Sequence, residues 1–277
     1  MKKIISIMLL AAMMLSICVS ASAAGKKDLL EKIKEKGYIE FTTEPYWAPN
    51  EFIDPTKEGD EQYVGTDIEL AKAIAEKIGV DLKIIPLEFS AVLTSITEGK
   101  YDMAISAIAW SPVREEAMML SDGYEFDNGG YGFTCREGDE DKYNSIDSLK
   151  DAVVITQSGS VQEAIYNEYC NNAKELKLVG SMTDAYLAVA EGKADVCVTH
   201  RTSGLLYAEA NGGLAVPDFT FDVDEKMTGT CVALPLGKGS ESLMEIVNEV
   251  IAELKEADQF TKWSDEYTAY AKTLGIE

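Results

Sequence analysis

Apolar and polar residues alternate along the chain with two periods, and these periods predict helices and strands in turn. Between Gly65 and Gly79, apolar residues recur at helical spacing: Ile68, Ala71, Ala75 and Ile78. Thr66-Asp67-Ile68-Glu69 has the pattern of a capping box. We therefore expect an amphipathic helix that starts at Thr66 and ends at Gly79.

The segments that follow continue this alternation. The pattern predicts a strand over residues 82–87, a short helix over 90–98 and a buried strand over 103–108. Strand, helix and strand in this order form a βαβ unit, which predicts a parallel sheet.

A short internal repeat marks a second unit of the same kind. Glu98-Gly99-Lys100-Tyr101-Asp102 precedes the first buried strand, and Glu191-Gly192-Lys193-Ala194-Asp195 precedes another at residues 196–199. Residues 153–156 predict a strand, 157–160 a turn, and 161–169 a helix whose first amides face that turn. Two α/β units predict a cleft between them, where the carboxyl ends of strands point at a ligand.

The C-terminal region predicts one more amphipathic helix. Ser242-Leu243-Met244-Glu245 has the pattern of a capping box. The apolar stripe behind it consists of Leu243, Ile246, Val247, Val250, Ile251 and Leu254.

The first 23 residues have the pattern of a signal peptide. Lys2 and Lys3 precede an apolar run, and Ala21-Ser22-Ala23 is a small-residue cleavage site. A second route would attach a lipid at Cys18, but Ile17 is bulky where lipoprotein signals carry a small residue. We expect an exported protein, periplasmic or extracellular, since no later apolar stretch is long enough to span a bilayer.

Charge and cysteine content narrow the function classes. Removal of residues 1–23 takes away two lysines and no acid, which moves the formal charge of the chain from −23 to −25. Nucleic acid is therefore not expected as a partner. Cys135, Cys170, Cys197 and Cys231 allow three disulfide pairings that the sequence does not separate. With one histidine and no metal-ligand spacing, we expect neither a metal nor a cofactor.

Several motifs in order along the chain resemble those of bacterial extracellular solute-binding proteins of the polar amino-acid type, family 3. The motifs are Gly65-Thr66-Asp67-Ile68-Glu69-Leu70-Ala71, Glu98-Gly99-Lys100-Tyr101-Asp102, Ser111-Pro112-Val113-Arg114, Gly159-Ser160 and Ala194-Asp195-Val196-Cys197-Val198-Thr199. The resemblance implies an α/β fold of the periplasmic-binding-protein type, with two lobes joined by two crossing strands. Lobe 1 would comprise residues 37–131 and 230–277, and lobe 2 residues 132–229. The protein would be a monomer that closes over an amino acid and delivers it to the permease of an ABC importer.

The resemblance also assigns the ligand-binding residues. Arg114 falls where the family binds the α-carboxylate, a role suited to the planar guanidinium fork; the alternative is a surface arginine paired with Glu115 or Glu116. Trp47 and Phe89 fall where aromatic rings enclose the ligand side chain, although Phe89 could instead be a core residue. Glu44 falls at a position that is acidic in members that bind cationic side chains, although an exposed carboxylate is the alternative.

Four further positions belong to the same expected site. Ser160 should cap the helix after it and offer its hydroxyl and amide to the ligand carboxylate; capping alone is the alternative. Ala109 and Val161 stand where the family often has hydroxyl residues, although the amide of Ala109 could still serve. His200 stands where the family has the aspartate that pairs with the α-ammonium group, which makes the ligand less certain to be a standard α-amino acid.

Two other function classes remain open at this stage. Relatives of this fold include periplasmic dehydratases, in which His200 could act as a general acid or base. A ligand-sensing receptor would need a membrane-tethered partner. The resemblance also places Cys135 and Cys231 near the crossing strands, so this pair is the expected disulfide if one forms.

Overall fold

The computed structural model describes residues 27–126 and 129–276. The predicted signal peptide and the alternative lipid site at Cys18 lie outside these residues. The helices are α1 Leu29–Lys36, α2 Thr66–Ile78, α3 Phe89–Thr97, α4 Pro112–Ala117, α5 Val161–Tyr169, α6 Met182–Ala190, α7 Arg201–Asn211, α8 Glu241–Glu256 and α9 Gln259–Leu274. The strands are β1 Tyr38–Thr43, β2 Tyr46–Trp47, β3 Glu51–Ile53, β4 Tyr63–Val64, β5 Asp81–Pro86, β6 Met103–Ala104, β7 Met118–Leu120, β8 Glu125–Phe126, β9 Tyr131–Arg136, β10 Val153–Gln157, β11 Glu175–Val179, β12 Val196–His200, β13 Leu214–Ala215, β14 Gly229–Thr230 and β15 Ala233–Pro235.

The first of two five-stranded sheets has the order β5-β1-β6-β15-β7. Strands β5, β1 and β6 are parallel, as the βαβ pattern predicts, and β15 is antiparallel to both β6 and β7. Helices α2 and α8 pack their apolar faces into one core with this sheet, which includes Ile39, Phe41 and Val247. We call this part of the protein the first lobe.

The second sheet has the order β11-β10-β12-β9-β13. Three of its strands, β11, β10 and β12, are parallel, and β9 runs antiparallel to both β12 and β13. Two apolar clusters around Phe133 and Ile155 pack against it. We call this part the second lobe. A mixed α/β fold with two lobes is therefore confirmed.

The internal repeat has the same structural role in both lobes. The carboxylate of Asp102 accepts a hydrogen bond of 2.8 Å from the amide of Glu40 in β1. The carboxylate of Asp195 accepts one of 2.8 Å from the amide of Val153 in β10. In each case the aspartate precedes a buried strand and attaches it to the start of its parallel neighbour.

The two capping boxes predicted from the sequence are wrong. Thr66 is already the first helical residue of α2, and the N-cap is Gly65, which offers no side chain. A Cβ on Gly65 would lie 2.1 Å from the carbonyl oxygen of Asn50, so the chain needs glycine there. Helix α8 begins at Glu241 after the N-cap Ser240, so Ser242 is already its second helical residue, and the Ser242 hydroxyl donates to Asp28 instead. The glycine stop at Gly79 is confirmed by its left-handed backbone.

Two segments connect the lobes. They contain β8 and β14, which pair antiparallel as a two-stranded ladder between the two sheets. None of the helices in the two described ranges is both long and apolar enough to cross a membrane.

The expected disulfide between Cys135 and Cys231 is absent, because both residues are buried free thiols. Cys135 belongs to the core of the second lobe, whereas the amide of Cys231 bonds to the carbonyl of Ile108 beside the first sheet. Cys170 and Cys197 are also free and buried. Burial raises the pKa of the Cys135 thiol to about 12 and of the Cys231 thiol to about 11, which makes both poor nucleophiles.

Candidate ligand-binding site

An open cleft of about 1660 Å³ lies between the lobes and is lined by residues of both. This volume exceeds the roughly 300–1,000 Å³ of common ligand pockets, because the concavity continues along α9. The lobes also touch across it: a Cβ on Gly159 would lie 3.5 Å from the Cα of Ser90. Side chains from the two lobes can therefore act on one small ligand.

All eight residues that the sequence assigned to the site line this cleft. They are Glu44, Trp47, Phe89, Ala109, Arg114, Ser160, Val161 and His200. These eight residues are therefore close enough to form one site. Their individual contacts favour different chemical groups of a ligand.

Arg114 is buried, with 7% of its surface exposed. Its Nη1 donates to the carbonyl of Ala109 (2.6 Å) and its Nη2 to the carbonyl of Gly159 in the other lobe (3.0 Å). Burial lowers the pKa of this guanidinium to about 10, so it stays charged at neutral pH. Within the described residues no carboxylate lies within 4 Å of Arg114, and the alternative pairing with Glu115 or Glu116 is absent. A buried cation held only by neutral carbonyls favours an anionic ligand group.

Backbone amides beside Arg114 extend this anion-binding region. The amide of Trp110 bonds to Gly229 and that of Cys231 to Ile108, so the facing pair Ala109 and Thr230 is a non-hydrogen-bonded pair. The amide and carbonyl of Ala109 therefore point away from Thr230, toward the side where Arg114 lies. The amide of Ala109 could thus serve as a donor despite its missing hydroxyl.

Helix α5 directs its N-terminus at the cleft. Ser160 is its N-cap, as predicted, and the Ser160 hydroxyl accepts from the amide of Glu163 at 3.1 Å. The same hydroxyl donates to the carbonyl of Gln157 at 2.7 Å, so it must rotate before it can donate to a ligand. The amides of Val161 and Gln162 occupy the first two helical positions, which have no partner within a helix. They offer donors and the positive end of the helix dipole.

Glu44 is buried, with 5% of its surface exposed, so the alternative of a solvated surface carboxylate is wrong. Burial raises its pKa from 4.5 to about 7, and the nearby charges of Glu88 and Asp184 act in the same direction. Gln157 opposes them by donating its side-chain Nε2 to both carboxylate oxygens, at 2.9 and 3.0 Å. This end of the cleft is acidic and favours a cation.

Aromatic rings line the cleft as well. The Arg114 guanidinium lies over the Phe89 ring, 5.5 Å from its centre, although Phe89 also packs in an apolar cluster of the first lobe. Phe89 is therefore a core residue that also lines the cleft. Trp47 belongs to the first lobe but packs against the second-lobe cluster that contains Met182 and Tyr186. Both rings can bury the apolar part of a ligand.

His200 ends β12 and lies edge-on to Tyr131, with ring centres 5.0 Å apart. Its backbone pairs with Tyr131, which places it at the carboxyl end of a central strand and at the cleft. This is where a side chain reaches a ligand in folds of this kind.

A pair of buried acids supports the floor of the cleft. Ser106 donates to Glu51 at 3.0 Å and accepts from the amide of Glu44 at 3.0 Å. Asp67 accepts from the amide of Ala107 and the hydroxyl of Tyr124, each at 2.8 Å. Burial, reinforced by the charge of Asp67, holds the pKa of Glu51 well above 4.5. Burial also raises the pKa of Asp67, but the hydrogen bonds that Asp67 accepts oppose this rise, so Glu51 is the member that stays protonated.

Sequence reasoning missed Gln157, Glu88 and Asp184 as parts of the site. Gln157 ends a buried strand, a position that could have indicated it, but the sequence pattern assigned it to the turn. Glu88 and Asp184 carry no such signal, because each is an ordinary acidic residue at the start of a helix. No group of three or more metal-ligating residues in the described ranges is arranged to hold a metal ion.

Comparison with known proteins agrees with this geometry. Residues 39–270 match the family described as bacterial extracellular solute-binding proteins, family 3. A solved amino acid ABC transporter substrate-binding protein from Streptococcus pneumoniae, bound to L-arginine, has a TM-score of 0.78 and 32% identity, covering 88% of this chain and 98% of that one. The L-cystine-binding protein TcyJ of Escherichia coli K12 is 24% identical over 86% of this chain and 85% of its own length. Cyclohexadienyl dehydratase of Pseudomonas aeruginosa is 24% identical over 76% of this chain and 78% of its own.

Proposed function

The chain belongs to the bacterial extracellular solute-binding proteins of family 3, and from that premise we propose that it captures an amino acid with a positively charged side chain and delivers it to an ABC-type permease. The observation that carries the proposal is Arg114, a buried cation whose guanidinium donates, among the described residues, to neutral carbonyls and to no carboxylate. An α-carboxylate would supply the missing charge through two parallel hydrogen bonds. The amide of Ala109 and the first amides of α5 would bind the remaining oxygen.

The side chain of the ligand is proposed from the opposite charge at Glu44. A guanidinium or ammonium group would neutralise a carboxylate that the protein buries beside Glu88 and Asp184. The similar structure from Streptococcus pneumoniae was solved with L-arginine, which has a negative α-carboxylate and a positive guanidinium group. Trp47 and Phe89 would cover the apolar chain between them.

Ligand capture requires the lobes to move, and we propose that they do so at the β8–β14 ladder. On this proposal the lobes comprise residues 37–131 with 230–277, and residues 132–229. A ligand bound by Arg114 from the first lobe and by α5 from the second would favour the closed arrangement. The permease would then recognise that arrangement, and residues 1–23 would direct export to the periplasm or cell surface.

We propose binding without turnover. One relative is a dehydratase, so incubation with prephenate-like carboxylates, followed by product analysis, is part of the test. Conversion of such a substrate would replace the transport proposal with an enzymatic one.

The proposal is tested by calorimetry with L-arginine, L-lysine, L-glutamine and L-cystine. We expect Arg114→Met to reduce affinity for the best ligand by at least about 30-fold, because a desolvated charge pair is worth about 2 kcal/mol or more. Arg136→Met is the matched control: Arg136 also donates to two carbonyls, of Val189 and Ala194, but does not line the cleft. Equal affinity in wild type and Arg114→Met would refute the carboxylate assignment.

A further inference from the structure

Gln157 joins the two lobes at the acidic end of the cleft. It is the last residue of β10 in the second lobe and is buried. Its Nε2 lies 2.9 and 3.0 Å from the two carboxylate oxygens of Glu44, a first-lobe residue 113 positions away in the sequence. The same nitrogen is 2.9 Å from the carbonyl of Gly180, which orients the amide toward Glu44.

The surroundings of Glu44 make its charge depend on this amide. Glu88 from the start of α3 and Asp184 from α6 face it with like charge, and Glu51 from β3 lies near it. No lysine or arginine in the described ranges lies within 4 Å of Glu44. Burial and the charges of Glu88 and Asp184 favour the protonated carboxyl, whereas a donated N–H favours the carboxylate. Gln157 is the side chain that supplies this donor.

We infer that Gln157 sets the preference of the cleft for ligands with a positively charged end over neutral ligands of the same shape, because it holds Glu44 ionised from across the cleft. It is a positioning residue that acts through Glu44 and need not touch the ligand. The inference rests on the proposed function and adds to it the residue that determines charge selectivity. It also makes recognition of charge depend on contact between the lobes, since donor and acceptor lie on different lobes.

The test compares L-arginine with L-citrulline, which has nearly the same shape but a neutral end. Gln157→Met removes the donor at similar length, and Gln62→Met is the control, because Gln62 also donates its side-chain amide to a backbone carbonyl, that of Gly59, but does not line the cleft. At pH 6, below the Glu44 pKa of about 7, we expect the ratio of arginine to citrulline affinity to fall about tenfold in Gln157→Met, the factor that corresponds to 1.4 kcal/mol. The ratio should recover toward pH 9, where Glu44 ionises again. A merely structural role would lower both affinities at every pH.

Carbon-13 NMR titration of the glutamate carboxyls tests the same inference without any ligand. Glu44→Gln identifies the signal of Glu44, whose midpoint should move to higher pH in Gln157→Met and stay in place in Gln62→Met. If Gln157→Met does not fold, Gln157→Leu serves instead, because leucine has no side-chain donor either. An unchanged midpoint and an unchanged affinity ratio overturn the inference. A shifted midpoint in a protein that binds no amino acid would refute the proposed function while the effect of Gln157 on Glu44 stands.

Discussion

Replacement of Glu44 by glutamine should stabilise the protein while it weakens ligand binding. The carboxyl group is 5% exposed, and burial raises its pKa from 4.5 to about 7. Below pH 4.5 it is protonated in both the folded and unfolded chain and has no effect on stability. Above pH 7 it is ionised in both, and the folded chain carries the full cost of the buried charge.

The size of this effect follows from the difference between the two pKa values. At about 1.36 kcal/mol for each pKa unit, the cost is about 3 kcal/mol above pH 7. This is an upper bound, because separation of the lobes would hydrate Glu44 before the chain unfolds. For a chain of this length, it corresponds to a rise of up to roughly 6–12 °C in the Tm of Glu44→Gln.

Thermal unfolding followed by circular dichroism between pH 4.5 and 8.5 measures this difference. We expect the Tm of Glu44→Gln to exceed that of wild type at pH 8 and to equal it near pH 4.5. Glu245→Gln is the control, since that carboxylate is exposed and is not among the charges that act on Glu44. Affinity for L-arginine should fall at least about 30-fold in Glu44→Gln, and in wild type it should fall as the pH drops through 7. A Tm difference that stays constant with pH would refute the reasoning.

Three further predictions concern other parts of the structure. Gly65→Ala should lower the free energy of unfolding by at least about 3 kcal/mol in urea titrations, because its Cβ would overlap the carbonyl oxygen of Asn50, and an unchanged midpoint would contradict this packing. Glu51→Gln should unfold at nearly the wild-type urea concentration, because burial already keeps Glu51 neutral, whereas Asp67→Asn should be clearly less stable, because one of the two oxygens that accept from Ala107 and Tyr124 becomes a donor; the opposite order would mean that Asp67 carries the proton. His200→Asp should increase the affinity for α-amino acids severalfold in calorimetry if residue 200 lies at the α-ammonium group of the ligand. Measurement in the Glu44→Gln background separates the pH dependence due to His200 from that due to Glu44.

The sequence by itself determined those features that depend on neighbouring residues. The apolar stripe that includes Ile68 and Ala75 predicted α2, and the left-handed stop at Gly79 is where the pattern placed it. Ser160 was recognised as an N-cap because the bond that it makes spans three residues. The repeat that ends in Asp102 and Asp195 indicated two related lobes, because each copy attaches a strand within its own lobe.

Only the tertiary structure decided the features that depend on residues distant in the chain. Thr66 has the residue type of a cap but lies one position inside the helix, because the close approach of Asn50 requires the cap to be Gly65. Cys135 lies in the core of the second lobe and Cys231 lies beside the first sheet, a separation that no spacing reveals. The charge of Glu44 depends on Gln157, 113 residues away, and on the burial that results when two lobes meet. Local sequence carries the period and the caps, whereas burial and the pKa of a carboxyl group are set by everything packed around it.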